Sequence, residues 1–143
     1  MTSPLINMLI EQHHYPLLTE DKLDSFLQRH EYAVLFFTEE PTRYPESNDV
    51  AVILPELEAA FPHRFTPAVV DRSMEPTLKG RYDINVWPTL VFLRNGRYLG
   101  KISKVRDWSV YMELISEILD REPTSNPGLG IPVVTEQRDS SNA

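Results

Sequence analysis

The stretch NVWPTLVFLRNGR, residues 85–97, constrains the fold more than any other part of the chain. Thr89 opens a run of strand formers, and Pro88 stands immediately before it. Proline has no N–H to give to a sheet ladder, so Pro88 belongs at the entrance of the strand and not within it. Asn95-Gly96 closes the run. That pair favours positive φ at both positions, as a tight antiparallel hairpin demands. Residues 88–94 and 97–103 are therefore expected to form the two arms of a hairpin.

Upstream, AVLFF (33–37) and PAVVD (67–71) are continuous apolar runs rather than alternating ones. Such runs suit strands covered on both faces, as in a parallel sheet. Residues 4–13 read as a lead-in helix and 15–18 as a short strand. Thr19 is placed as an N-cap, its hydroxyl accepting from a free N–H of the first turn. Glu20 and Asp21 suit the positive end of that helix, whose apolar face is Leu23, Phe26 and Leu27. A polar loop, TEEPTRYPESN, precedes a helix expected over 49–61 with Val50, Ile53, Leu54, Leu57 and Phe61 on one side. Pro55 is expected to kink it. A short helix over 75–82 should break at Gly80. The last helix, 107–121, carries Trp108, Tyr111, Met112, Ile115, Ile118 and Leu119 at helical spacing. The order is β-α-β-α-β-α, then the hairpin, then α. This predicts an α/β fold, a mixed central β-sheet with helices on both faces.

Composition removes several classes of function. The chain has 143 residues and no cysteine, which excludes disulfides, thiolate metal sites and thiol mechanisms. A net charge of −7 argues against a nucleic-acid partner. The acidity is concentrated: residues 32–66 carry six acids against two bases. No apolar run is long enough for membrane insertion as a helix. The first basic residue is Lys22, so the start does not read as a secretory leader, and a cytoplasmic location is expected. His13, His14, His30 and His63 lack a metal-ligand spacing and read as surface residues. There is no Gly-x-Ser-x-Gly elbow and no phosphate loop, so neither catalytic nor cofactor-binding residues are assigned. Asp71 reads as a cap on the turn after its strand, and Trp108 as core or rim.

The element order, with Tyr82, Ile84, Trp87, Pro88, Thr89, Leu90, Phe92, Asn95 and Gly96 in their spacing, resembles thioredoxin over residues 19–121. The resemblance implies that the Trp87–Pro88 bond is cis. It also implies that the main-chain groups of Trp87 face outward, where they can pair with an extended peptide. Residues 1–18 then form a lead-in helix and strand, and 122–143 a flexible C-terminal tail. The rival reading of the tail docks IPVV on a sheet edge. The redox pair of thioredoxins is missing: Tyr44-Pro45-Glu46-Ser47 stands in its place, and Leu35 stands where thioredoxins bury an aspartate. The fold is thus expected to serve binding, not redox chemistry.

A narrower similarity rests on Pro41-Thr42-Arg43-Tyr44-Pro45-Glu46-Ser47-Asn48-Asp49, with its Pro-x-Arg-x-Pro-Glu core, and on the lead-in helix. These resemble the cysteine-free, thioredoxin-like HyaE/HupG/HoxO group encoded with nickel–iron hydrogenases. The resemblance implies a non-enzymatic maturation chaperone. Its partner would be the twin-arginine signal peptide of the hydrogenase small subunit, held back from export, with other assembly factors as further partners. Glu39, Glu40, Glu46 and Asp49 suit paired guanidinium groups. Tyr44, Trp87 and Pro88 complete the expected peptide-binding set, Trp87 as an anchor or as a lid over Tyr44. Glu75 is taken to lie outside this site. The alternative function is a structural scaffold or dimerisation module.

Overall fold

A computed structural model describes residues 3–124. The expected tail and its IPVV segment therefore lie largely outside the described residues. At its start, Thr124 forms an isolated antiparallel bridge with Tyr98, its N–H donating to the Tyr98 carbonyl at 2.9 Å.

The elements are α1 (Pro4–Glu11), β1 (Leu17–Leu18), α2 (Glu20–Arg29), β2 (Tyr32–Phe37), α3 (Glu46–Ala60) and β3 (Thr66–Val70). A 3₁₀ turn (Arg72–Met74) leads into α4 (Glu75–Arg81), followed by β4 (Thr89–Arg94), β5 (Arg97–Ser103) and α5 (Trp108–Leu119). The five strands form one sheet in the order β1-β3-β2-β4-β5. The β1–β3 and β2–β3 pairs are parallel, and the β2–β4 and β4–β5 pairs antiparallel. The sheet is mixed, as the crossover helices and the Asn-Gly turn require. Asn95 (φ 51°) and Gly96 (φ 79°) both adopt the left-handed conformation that the hairpin needs.

The continuous apolar runs are explained by layering. Side chains alternate across a strand. In β2, Val34 and Phe36 face one core, shared with Ile6 and Leu9 of α1, Leu54 and Leu57 of α3, and Ile115 and Ile118 of α5. Ala33, Leu35 and Phe37 face a second core with Leu23 and Phe26 of α2 and Leu78 of α4. Both faces are dry, so every position of β2 from Ala33 to Phe37 is buried. Each fully buried leucine or phenylalanine contributes about 1.5–3 kcal/mol.

Several local expectations are corrected. Thr19 occupies the N-cap position of α2 but accepts nothing from the first turn. Its hydroxyl donates instead to the Asp21 carboxylate at 2.5 Å. Helix α3 starts three residues early, at Glu46, because Ser47 and Asn48 N–H groups already bond back to Tyr44 and Pro45 carbonyls. Pro55 lies inside it, as expected, and lacks the N–H that would reach Ala51. Helix α4 does not break at Gly80: it continues to Arg81, and Gly80 faces open space. The strand expected over 15–18 is only Leu17–Leu18.

Gly100 is needed for a different reason, close approach. A Cβ there would lie 3.1 Å and 3.3 Å from Ile118 Cγ1 and Cδ1 in the last turn of α5, and 2.8 Å from the movable end of Arg121 just beyond it. Gly100→Ala is expected to destabilise the fold by about 1–3 kcal/mol through overpacking, read as a lowered urea midpoint with unchanged slope.

Candidate functional site

The entrance of β4 is held from three sides. Thr89 Oγ1 donates to the Val86 carbonyl at 2.7 Å and shares a 2.8 Å hydrogen bond with Ser103 Oγ. The Pro88 carbonyl accepts from Lys104 N–H at 2.7 Å. The Trp87–Pro88 peptide bond is cis. Pro88 itself is buried, so its ring supplies no contact surface, whereas Trp87 is only half-buried. Among the described residues, nothing pairs with the main-chain N–H or C=O of Trp87.

The loop between β2 and α3 folds against this entrance. Arg43 and Tyr44 N–H groups both donate to the Glu40 carbonyl at 2.9 Å, closing a turn. Ser47, fully buried, donates its hydroxyl to the Thr38 carbonyl at 2.7 Å and ties α3 to the end of β2. Asn48 hydrogen-bonds to Ser3 at the cap of α1, so the lead-in helix braces the loop from outside. The Tyr44 and Trp87 rings then meet at 5.4 Å with a 47° interplanar angle. Tyr44, Trp87 and Pro88 are thus brought together.

The acids divide into two pairs. Glu39 and Glu40 are both engaged by Arg72, at 3.2 Å and 2.8 Å. The Arg72 guanidinium, followed by the Thr42 hydroxyl, holds the Glu40 carboxyl below the usual glutamate range. Glu46 and Asp49 are exposed on the first turn of α3, and among the described residues neither is in an ion pair. Their i,i+3 spacing puts them side by side on the helix surface. The carboxylate-rich surface also brings cations onto its aromatic rings. Arg43 lies 5.5 Å from the Tyr44 ring centre, and Lys79 Nζ lies 5.4 Å from that of Trp87.

The residue that sequence reasoning misplaced is Glu75. It is only 3 % exposed and sits at the centre of the site. Its Oε2 accepts from Thr38 N–H at 3.2 Å and Glu39 N–H at 3.0 Å, and its Oε1 accepts from Trp87 Nε1–H at 3.0 Å. Locally, Glu75 reads only as an acid in the first turn of a short helix, ahead of Pro76. Its partners stand 36, 37 and 12 residues away, and no local pattern announces them. A cavity of about 190 Å³ opens here between Glu39, Arg72, Glu75, Pro76, Lys79 and Trp87. Asp71, by contrast, caps the 3₁₀ turn as expected, accepting from Ser73 N–H at 3.1 Å. Trp108 is 46 % exposed, a surface residue rather than core.

A mixed sheet of this order, a cis proline at the entrance of its hairpin and helices on both faces define a thioredoxin-like protein. The fold matches Plasmodium falciparum thioredoxin with a TM-score of 0.59 at 18% identity, covering 71% of this chain and 97% of that one. The chain belongs to the family described as hydrogenase-1 expression protein HyaE, whose model matches residues 5–111. It is 47% identical to the hydrogenase expression/formation protein HoxO of Azotobacter vinelandii over 137 residues, 96% of this chain and 90% of that one. It is also similar to a solved structure, the hydrogenase expression/formation protein hupG of Rhodopseudomonas palustris. There the identity is 39% and the TM-score 0.53, over 73% of this chain and 94% of that one. No helix among the described residues is long and apolar enough to cross a membrane.

Burial pushes the Glu75 carboxyl above its ordinary value, against the three hydrogen bonds that favour its ionised form. The folded state therefore binds the proton more tightly than the unfolded chain. Stability contributed by this group is present at acid pH and is lost as pH rises from the ordinary glutamate pKa through the raised one. The expected result is that wild-type stability, relative to Glu75→Gln, declines over that window and is flat above it. Urea unfolding at a series of pH values measures this.

Proposed function

We propose that this protein is a non-enzymatic chaperone of hydrogenase maturation that binds the twin-arginine signal peptide of the hydrogenase small subunit before export. The observation that carries the reading is the unpaired main chain of Trp87, whose ring meets Tyr44 at 5.4 Å on the loop that leads into the exposed acids Glu46 and Asp49. An extended segment can add to Trp87 as one more strand, exchanging main-chain hydrogen bonds. Guanidinium groups of that segment then meet Glu46 and Asp49, whose planar carboxylates accept a forked donor. The Tyr44–Trp87 ring pair gives the apolar part of the segment a surface to lie on. Pro88 acts through the path it gives the backbone, since its own ring is buried. Glu39 and Glu40 belong to the same patch, their two charges partly offset by the single Arg72 guanidinium.

The hydrogenase expression/formation role of the relatives supports the choice of client, and a thioredoxin-like fold without cysteine supports binding over redox chemistry. Export of the client begins on the cytoplasmic side, where a chaperone of this kind works.

Calorimetric titration with a synthetic twin-arginine signal peptide tests the reading. Binding is expected, weakened at least tenfold when the Arg-Arg pair is replaced by Gln-Gln. No binding of the Arg-Arg peptide at low salt removes the proposal. A second titration uses the double reversal Glu46→Lys and Asp49→Lys. Its loss of affinity is expected to be large at low ionic strength and to shrink as salt is added, because exposed charges are screened. A loss independent of salt would place the two carboxylates outside the contact.

A further inference from the structure

Trp87 and the turn after β2 come from segments about fifty residues apart in the chain, yet the proposed peptide site uses both. Nothing in their own sequences fixes one against the other. The turn is itself unusual: Glu39 has φ 49°, in the left-handed region, which costs an ordinary residue roughly 1–2 kcal/mol. What meets the Thr38 and Glu39 N–H groups of that turn is one oxygen of Glu75, and the other oxygen of the same carboxylate meets the Trp87 indole.

We infer that Glu75 is the positioning residue of the site: its carboxylate, accepting from both sides, locks the turn at residues 38–39 and the Trp87 side chain into one peptide-binding unit. The inference rests on the peptide-binding reading and adds to it the group on which the site's shape depends.

Only a carboxylate does this. Each of the three donors needs an acceptor, and an ionised carboxylate presents two oxygens that only accept. A glutamine at this position turns an NH₂ toward either the indole N–H or the two main-chain N–H groups, donor against donor. Protonating the acid has a related effect, since one oxygen then carries a hydrogen. The lock therefore forms with the ionised acid.

The charges around Glu75 come from every element packed on it. Glu39, on the turn, opposes its ionisation. Arg72, on the 3₁₀ turn, is shared between Glu39 and Glu40. Lys79, one turn along α4, lies over the Trp87 ring and lines the same cavity. Burial of Glu75 outweighs its hydrogen bonds, so the ionised acid is held against its own solvation preference.

The experiment is an amide and indole ¹H–¹⁵N titration of the full chain between about pH 4 and pH 8, paired with peptide affinity. The chain has two tryptophans, and the exposed Trp108 indole serves as an internal reference. The expected result is one shared midpoint for the Thr38 amide, the Glu39 amide and the Trp87 indole, above the ordinary glutamate value. The Trp108 indole does not move with them. In Glu75→Gln, still folded by circular dichroism, the shared transition disappears and affinity for the twin-arginine signal peptide falls at least tenfold. Three unrelated midpoints, or no movement, overturn the inference whether or not the variant folds. Wild-type affinity in folded Glu75→Gln overturns it too. If the three groups share a midpoint but the wild type binds no signal peptide, the lock stands and the client assignment fails.

Discussion

One carboxylate, 3 % exposed, organises the working end of this fold. The loop after β2 and the proline-bearing entrance of β4 both offer N–H donors, from Thr38 and Glu39 on one side and the Trp87 indole on the other. Glu75 accepts from both, reached from a third element, the short helix α4. The helix can be short because its placement depends on what it delivers. Leu78 is buried in the second core, and Pro76 in its first turn gives up no hydrogen bond, since N–H groups there have no helical partner. The scaffold thus spends part of its stability on a buried acid, which burial alone would exclude. Such an arrangement is expected of a site whose shape matters more than its contribution to folding.

Much of the scaffold could be read from local pattern because local physics decides it. Asn95-Gly96 requires left-handed backbone, and the structure has it at both positions. The continuous run at residues 33–37 requires two dry faces, and α1, α3 and α5 cover one while α2 and α4 cover the other. The parts that could not be read involve choices between a local and a distant partner. Thr19 stands at the N-cap position, but its hydroxyl bonds to the Asp21 carboxylate while its carbonyl takes the Lys22 and Leu23 N–H groups. Gly80 carries a propensity penalty of about 1 kcal/mol, small enough for the packing of Leu78 and Tyr82 on either side to override. Helix α3 begins early, its first N–H groups bonding back to Tyr44 and Pro45, and the buried Ser47 hydroxyl ties that first turn to the Thr38 carbonyl nine residues back.

The site was half legible for the same reason. Tyr44, Trp87 and Pro88 were placed by their position in the element order, and the structure brings them together. The four acids were grouped by sequence proximity alone. Space separates them into Glu39 and Glu40, turned toward Arg72, and Glu46 with Asp49, turned outward on α3. The missing actor was Glu75, whose role exists only as long-range hydrogen bonds. Arg43 and Lys79 over the aromatic rings were missed likewise, and they make the site one of mixed charge.

The contact between Arg72 and the two glutamates changes what an arriving cation can gain. A guanidinium of the protein's own already sits across both carboxylates. A visiting arginine at that spot would swap one fork for another, so its reward is only the difference between two like bonds. In the proposed peptide complex such an exchange would keep occupancy loose: the resident side chain would stand ready to reclaim its seat, and a guest could leave without stranding both carboxylates.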